Sequence, residues 1–168
     1  MTYFKITNLG HTSISSTILS YIDSLKIKSS GDDMLVWDVI RKKWLVQQPE
    51  EMVRQLFIQY LINECLFPLS RIQIEKQVKV NNQSRRFDLL VYDWEVKPFM
   101  LIECKSFNIP IAQTTLDQVT LYNYKYKAPF ICITNGHQTQ VFAFENQKYT
   151  PNQSIPNFPI HQSNQHSK

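Results

Sequence analysis

Glycine is scarce in this chain of 168 residues, with only Gly10, Gly31 and Gly136 present. Three glycines so placed can write neither G-x-G-x-x-G nor G-x-x-x-x-G-K, which excludes the loops that cradle dinucleotides and nucleoside triphosphates. Cysteine is equally thin: Cys65, Cys104 and Cys132 are odd in number, far apart and form no C-x-x-C. A zinc ribbon and a disulfide framework are therefore not suggested, and a reducing, cytoplasmic setting fits best. No apolar run approaches the roughly 20 residues that a membrane span needs, and the N-terminus lacks a basic-then-apolar signal pattern, so a soluble intracellular protein without a membrane partner is expected. Charged residues make up only 19% and the net charge is +4. That is too little for a basic nucleic-acid tail or an acidic disordered segment, although compatible with an anionic partner. The four histidines, His11, His137, His161 and His166, show no paired metal spacing.

What is present is core-forming material: 43% hydrophobic and 12% aromatic residues, enough for one domain. Residues 1–34 read as an N-terminal extension in which Ile14, Ile18, Leu19, Ile22 and Leu25 could make one amphipathic helix, or as an overlong start before Met34. From Leu35 to Val46, two short apolar runs flank Arg41, Lys42 and Lys43, the pattern of a small hairpin. Pro49, Glu50 and Glu51 then open a helix to about Cys65, since proline suits the first turn and acids suit the positive end of the dipole. Strands follow at Ile72 to Val80, Arg86 to Tyr92 and Phe99 to Glu103, then a helix over Thr115 to Lys127 and strands at Phe130 to Thr134 and Gln140 to Glu145. The tail from Asn146, with Pro151, Pro156 and Pro159 among amides and serines, reads as loose. The order predicts an α/β fold with a mixed sheet flanked by helices, carried by residues 35–146, with 147–168 a polar tail.

Chemistry concentrates at the end of one predicted strand. Side chains at i and i+2 of a strand share a face, so Glu103 and Lys105 lie with Leu101, and Asp88 lies with Leu90 and Tyr92. Antiparallel pairing of these two strands through the turn 93–98 would set Asp88 beside Glu103. Two carboxylates about 4 Å apart repel by on the order of 4 kcal/mol at an effective dielectric of roughly 20, so something positive belongs between them. Lys105 offers one charge. A divalent cation offers two and leaves positions open for water and a phosphate oxygen, an arrangement suited to phosphodiester hydrolysis. Glu50, on the helix face of Val53 and Phe57, could complete the set, whereas Glu51 is expected to point away from that face. The plain alternative is an exposed E-x-K ion pair, worth less than about 1 kcal/mol.

Several pieces together resemble the N-terminal nuclease domain of type I restriction enzyme R subunits, within the PD-(D/E)XK nuclease superfamily. They are Trp37 to Lys43, Pro49 to Gln55, Arg85-Arg86-Phe87-Asp88, Leu101-Ile102-Glu103-Cys104-Lys105, Gln118 to Asn123 and Thr134-Asn135-Gly136. The resemblance spans about Leu35 to Glu145 and implies a restriction-endonuclease-like core and Mg²⁺-dependent DNA cleavage, with Mn²⁺ as a substitute. It places Asp88, Glu103 and Lys105 in the family's catalytic positions and makes Gln118 and Tyr122 its Q-x-x-x-Y motif. Phe87 stands where the motif usually has proline, and Glu50 is preferred over Glu51 as the helix acid. The sequence carries no Walker loop for the translocase of type I R subunits, so action alone or with separate restriction or translocase subunits is expected. A homodimer is compatible, because cutting both strands takes two active sites. A different class of function also stays open: a non-catalytic nucleic-acid-binding or accessory subunit retaining the fold.

Among the basic residues, Arg86 is the preferred phosphate contact because it shares the strand face of Asp88, and Tyr122 is a further DNA contact candidate. Arg41 to Lys43 read as a solvated turn, Tyr124 and Tyr126 as a half-buried helix end, and Arg54 as the i+4 partner of Glu50.

Overall fold

A computed structural model describes residues 14–15, 17–80 and 83–159, with side chains over 18–74 and 87–159. The elements run β1 (Ile14–Ser15), a 3-10 helix (Thr17–Ser24), β2 (Ile27–Ser30), β3 (Asp33–Asp38), β4 (Lys43–Val46) and α1 (Pro49–Asn63). They continue with β5 (Ile72–Val80), β6 (Gln83–Tyr92), β7 (Pro98–Cys104), α2 (Gln113–Tyr126), β8 (Phe130–Thr134), β9 (Gln138–Glu145) and β10 (Lys148–Asn152). The main sheet has seven strands in the order β1-β9-β8-β7-β6-β5, with β10 also on β9, and β2-β3-β4 make a separate antiparallel sheet. Among the described strands only β7 and β8 pair in parallel, joined by α2 as a crossover connection requires. The fold is therefore mixed α/β.

The strand alternation assigns each helix to one face. Leu89, Val91, Met100, Ile102 and Cys104 pack with Val53, Leu56, Phe57 and Leu61 of α1, whereas Leu90, Leu101, Ile131 and Ile133 pack with Leu116, Val119 and Tyr122 of α2. Helix α1 is more enclosed than an amphipathic pattern suggests, with every residue from Glu51 to Ile58 buried. Its polar members can be buried because they bond to one another and to β6. Buried Asn123 ends α2 by accepting the Ala128 N–H (2.9 Å) and donating to the Ala128 carbonyl (2.8 Å), while Lys127 takes a left-handed conformation.

Three expectations need correction. The N-terminal amphipathic segment is not an α-helix: Ile14 lies in β1, and the helix over Thr17–Ser24 is of the 3-10 type. With three residues per turn, Ile18 and Tyr21 share a face, which leaves Ile22 exposed. The boundary at residue 34 falls inside β3, whose outer partner β2 belongs to the segment read as an extension. The segment after Asn146 is not loose as far as residue 159. Tyr149 of β10 bonds Asn123, Ile155 is buried, and the Phe158 N–H donates to the Cys65 carbonyl at 2.7 Å while its ring meets Phe67. Pro151 is tolerated there because β10 is an edge strand, which needs no second ladder. Among the described residues, no helix is long and apolar enough to cross a membrane.

Candidate active site

The site forms where β6 and β7 separate. Their pairing runs from Tyr92↔Pro98, through a register shift, to Leu89↔Ile102, and Asp88 stands at the next step. There the side-chain alternation breaks. Phe87 and Leu90 belong to the α2 layer and Leu89 to the α1 layer, yet Asp88 reaches Arg54 of α1 and so does not share the face of Leu90. One Asp88 oxygen accepts from Arg54 Nη2 at 2.7 Å and the other from the Cys104 backbone N–H, also at 2.7 Å. The carboxylate thus supplies a partner for a buried main-chain donor at the end of the ladder.

Glu103 keeps the face predicted for it. Its Oε1 accepts from Lys105 Nζ at 2.8 Å and from Gln118 Nε2 at 3.1 Å, and Gln118 also donates to the Tyr122 hydroxyl at 2.7 Å. Its other oxygen, Oε2, is buried without a hydrogen-bond partner among the described residues. Burial first, and then the negative charge of Asp88, push the Glu103 carboxyl up to about 7, against the pull of Lys105. Asp88 and Glu103 therefore contact different helices but act on one another across the sheet end. Burial works to lower the Lys105 ammonium, but the Glu103 hydrogen bond and the charges of Glu103, Asp88 and Glu50 outweigh it and hold it above its usual value.

Lys105 is placed by the strand that follows α2. Its N–H donates to the Thr134 carbonyl at 2.8 Å, and Asn135 Nδ2 donates to the Ile109 carbonyl at 2.9 Å, so the loop after β7 is clamped to the turn 134–138. Gly136 has φ +85° there, and a Cβ on it would come 2.8 Å from the Phe107 ring.

The two helix acids have different surroundings. Glu50 has a half-exposed carboxylate raised by burial and then by Asp88, with Lys105 and Arg54 opposing. Glu51 does not point away from the packed side of the helix. It is buried, accepts from Gln55 Nε2 at 2.9 Å and is ion-paired with Arg54 Nη1. Arg54 accordingly bridges Glu51 and Asp88, whereas its expected partner Glu50 lies at 3.9 Å. Burial opposes the Arg54 charge, but Asp88 and then Glu51 hold the guanidinium above its usual value.

The basic turn is also more structured than a solvated one. Fully buried Asp38 accepts the Ile40 and Arg41 N–H groups and pairs with Arg41 Nη1 at 3.1 Å, which lies 3.8 Å from Glu51. An open groove of ≈ 690 Å³ runs between this hairpin and the start of α1, lined by Arg41, Lys43, Gln48, Glu50, Arg54 and Ser106. Tyr122, expected as a direct DNA contact, is instead buried, and its hydroxyl accepts from Gln118 Nε2. Arg86 lies on β6 opposite Gln77, and its side chain is outside the described residues. Tyr126 packs edge-on against Phe87, and Tyr124 is exposed. His137 meets Phe107; the other three histidines lie outside the described residues. All three thiols are buried and pushed up by that burial, Cys65 to about 12, so none is a poised nucleophile.

Residues 49–159 of the 168 match the family described as the type I restriction enzyme R protein N terminus (HSDR_N). The chain belongs to that family. The R-protein match begins at Pro49, so the piece Trp37 to Lys43 lies outside it, and it extends past Glu145 to Pro159, over the segment that packs on α2 and Phe67. Membership in the R-protein N-terminal family links the chain to restriction-modification. No curated protein matches the sequence.

The raised Glu103 carboxyl has a measurable consequence. A carboxyl whose folded value lies above its unfolded value contributes stability that is full below about 4.5 and is lost as pH rises through about 7. Glu50 is shifted in the same direction, and Lys105 stays charged throughout. In the presence of a chelator the melting temperature should therefore lose this contribution between pH 5 and pH 8. The Glu103→Gln variant, melted in parallel, should show a flatter profile. Identical profiles would mean that Glu103 titrates normally.

Proposed function

We propose that this domain is a metal-dependent DNA endonuclease of the PD-(D/E)XK type, acting in the cytoplasm with other restriction subunits. The observation that carries the reading is Glu103: a buried carboxylate with one oxygen shared by Lys105 and Gln118 and the other without a protein partner, beside Asp88. An orphaned, buried carboxylate oxygen is costly unless a cation meets it. Among the described residues, no three His, Cys, Asp or Glu side chains form a cage by themselves. Mg²⁺, or Mn²⁺ in its place, is commonly held by one or two carboxylates with waters and substrate phosphate, the number that Asp88 and Glu103 offer.

Asp88 and Glu103 would hold the ion, with Glu50 at its edge. When bound, a divalent cation supplies charge for the scissile phosphate and lowers the pKa of a bound water. The chain's own groups do the rest. Gln118, braced by Tyr122, fixes the rotamer of Glu103. Lys105, kept charged by Glu103, orients the attacking water and offsets the charge that builds on the phosphate. Lys43 and Arg41 on the groove offer positive charge to a DNA backbone entering beside Glu50.

Purified protein should cut plain or modified DNA with Mg²⁺ or Mn²⁺, and excess chelator should stop it. DNA binding without cutting under either ion, left unchanged in Lys105→Ala, would instead establish a non-catalytic accessory subunit.

A further inference from the structure

Five charged side chains alternate in sign from the hairpin to the sheet end: Asp38, Arg41, Glu51, Arg54 and Asp88. Four of them, Asp38, Glu51, Arg54 and Asp88, are buried, so their charges are weakly screened. We propose that Arg54 is a positioning residue for Asp88, and that Glu51 is the anchor fixing Arg54. This rests on the reading of the site as a cation-dependent nuclease centre.

The geometry makes the case. Asp88 stands one step beyond the last pair of β6 with β7, between the β5 pairs Ile74↔Leu89 and Lys76↔Phe87, so no β7 residue stands opposite it to hold its carboxylate. Two hydrogen bonds do, the Cys104 amide on one oxygen and Arg54 Nη2 on the other. Arg54 holds that oxygen while its other terminal nitrogen, Nη1, is paired with Glu51, and Glu51 is itself held by Gln55. The planar guanidinium fork thus carries orientation from the helix to the strand. A lysine would carry the same charge without the fork. Arg54 acts on the cation site through Asp88.

Arg54→Lys separates orientation from charge. Because the charge is retained, attraction of a cation by the site is nearly preserved, and what is lost is the two-point hold. Mn²⁺ titration calorimetry on the folded protein should show an apparent Kd about tenfold weaker in Arg54→Lys, the scale typical when groups orienting a metal's ligands are removed. Glu51→Gln, which leaves Arg54 in place without its anchor, should weaken Mn²⁺ in the same direction by a smaller factor. A merely structural ion pair would lower the melting temperature and leave the Mn²⁺ affinity of folded protein where it was. Wild-type affinity in folded Arg54→Lys therefore overturns the inference. If that variant does not fold, wild-type affinity in Glu51→Gln overturns it. Absence of Mn²⁺ binding by the unaltered protein defeats the nuclease reading itself, and the inference with it, a result distinct from equal binding by variant and wild type.

Discussion

Lys105→Ala is expected to slow Mn²⁺-supported DNA cleavage by about 10²–10³-fold, the typical cost of removing one preorganised group from developing transition-state charge. The ammonium is held at 2.8 Å from Glu103 and kept charged by Glu103, Asp88 and Glu50, so it is present in the right form across neutral pH. The substitution should spare the fold. Lys105 is partly exposed, the clamp on its loop runs through its main-chain N–H to Thr134, and Glu103 keeps Gln118. Single-turnover rates with melting curves on the same samples provide the check. Cleavage at the wild-type rate would remove Lys105 from the reaction and leave the E-x-K pair as an ordinary ion bridge.

Arg54→Met should have the largest effect on stability, about 3–5 kcal/mol, because it leaves the buried Asp88 and Glu51 carboxylates without the cation between them. The comparison with an exposed pair is instructive. Lys97 and Glu95 also pair closely, but in the open turn between β6 and β7, where solvent screens the charges and the contact adds little. Urea unfolding of Arg54→Met and Lys97→Met under identical conditions tests the contrast. A loss from Arg54→Met no greater than that from Lys97→Met would mean that the surrounding core relaxes around the vacated charge.

The strands and helices were largely legible because their signals are local. Pro49-Glu50-Glu51 marks a helix start, and the unbroken apolar runs 99–102 and 130–133 mark strands buried on both faces. The cluster of Glu103, Lys105, Gln118 and Tyr122 was legible for the same reason: spacings of two in a strand and four in a helix each define a shared face. Three features were not. The direction of Asp88 depends on where the β6–β7 ladder stops, which is a property of two strands and not of one. Glu51 read as pointing away from the packed face and Arg54 as the partner of Glu50, because period alone cannot tell an internal ion-pair cluster from solvent. The proline-bearing segment after Asn146 looked unstructured because its anchors, Asn123, Phe67 and the Cys65 carbonyl, lie far away in sequence. Charge offered the one available hint at Arg54: it sits three and four residues after two glutamates, in reach of either.

The Cys104 amide, beyond the last β7 pair with β6 at Ile102, donates to a side chain and not to a strand ladder. Whatever loosens the Asp88 carboxylate frees that one main-chain hydrogen before it disturbs neighbouring amides. Its rate of exchange with deuterated solvent is thus a built-in gauge of how firmly the site is assembled, readable without substrate, turnover or any substitution.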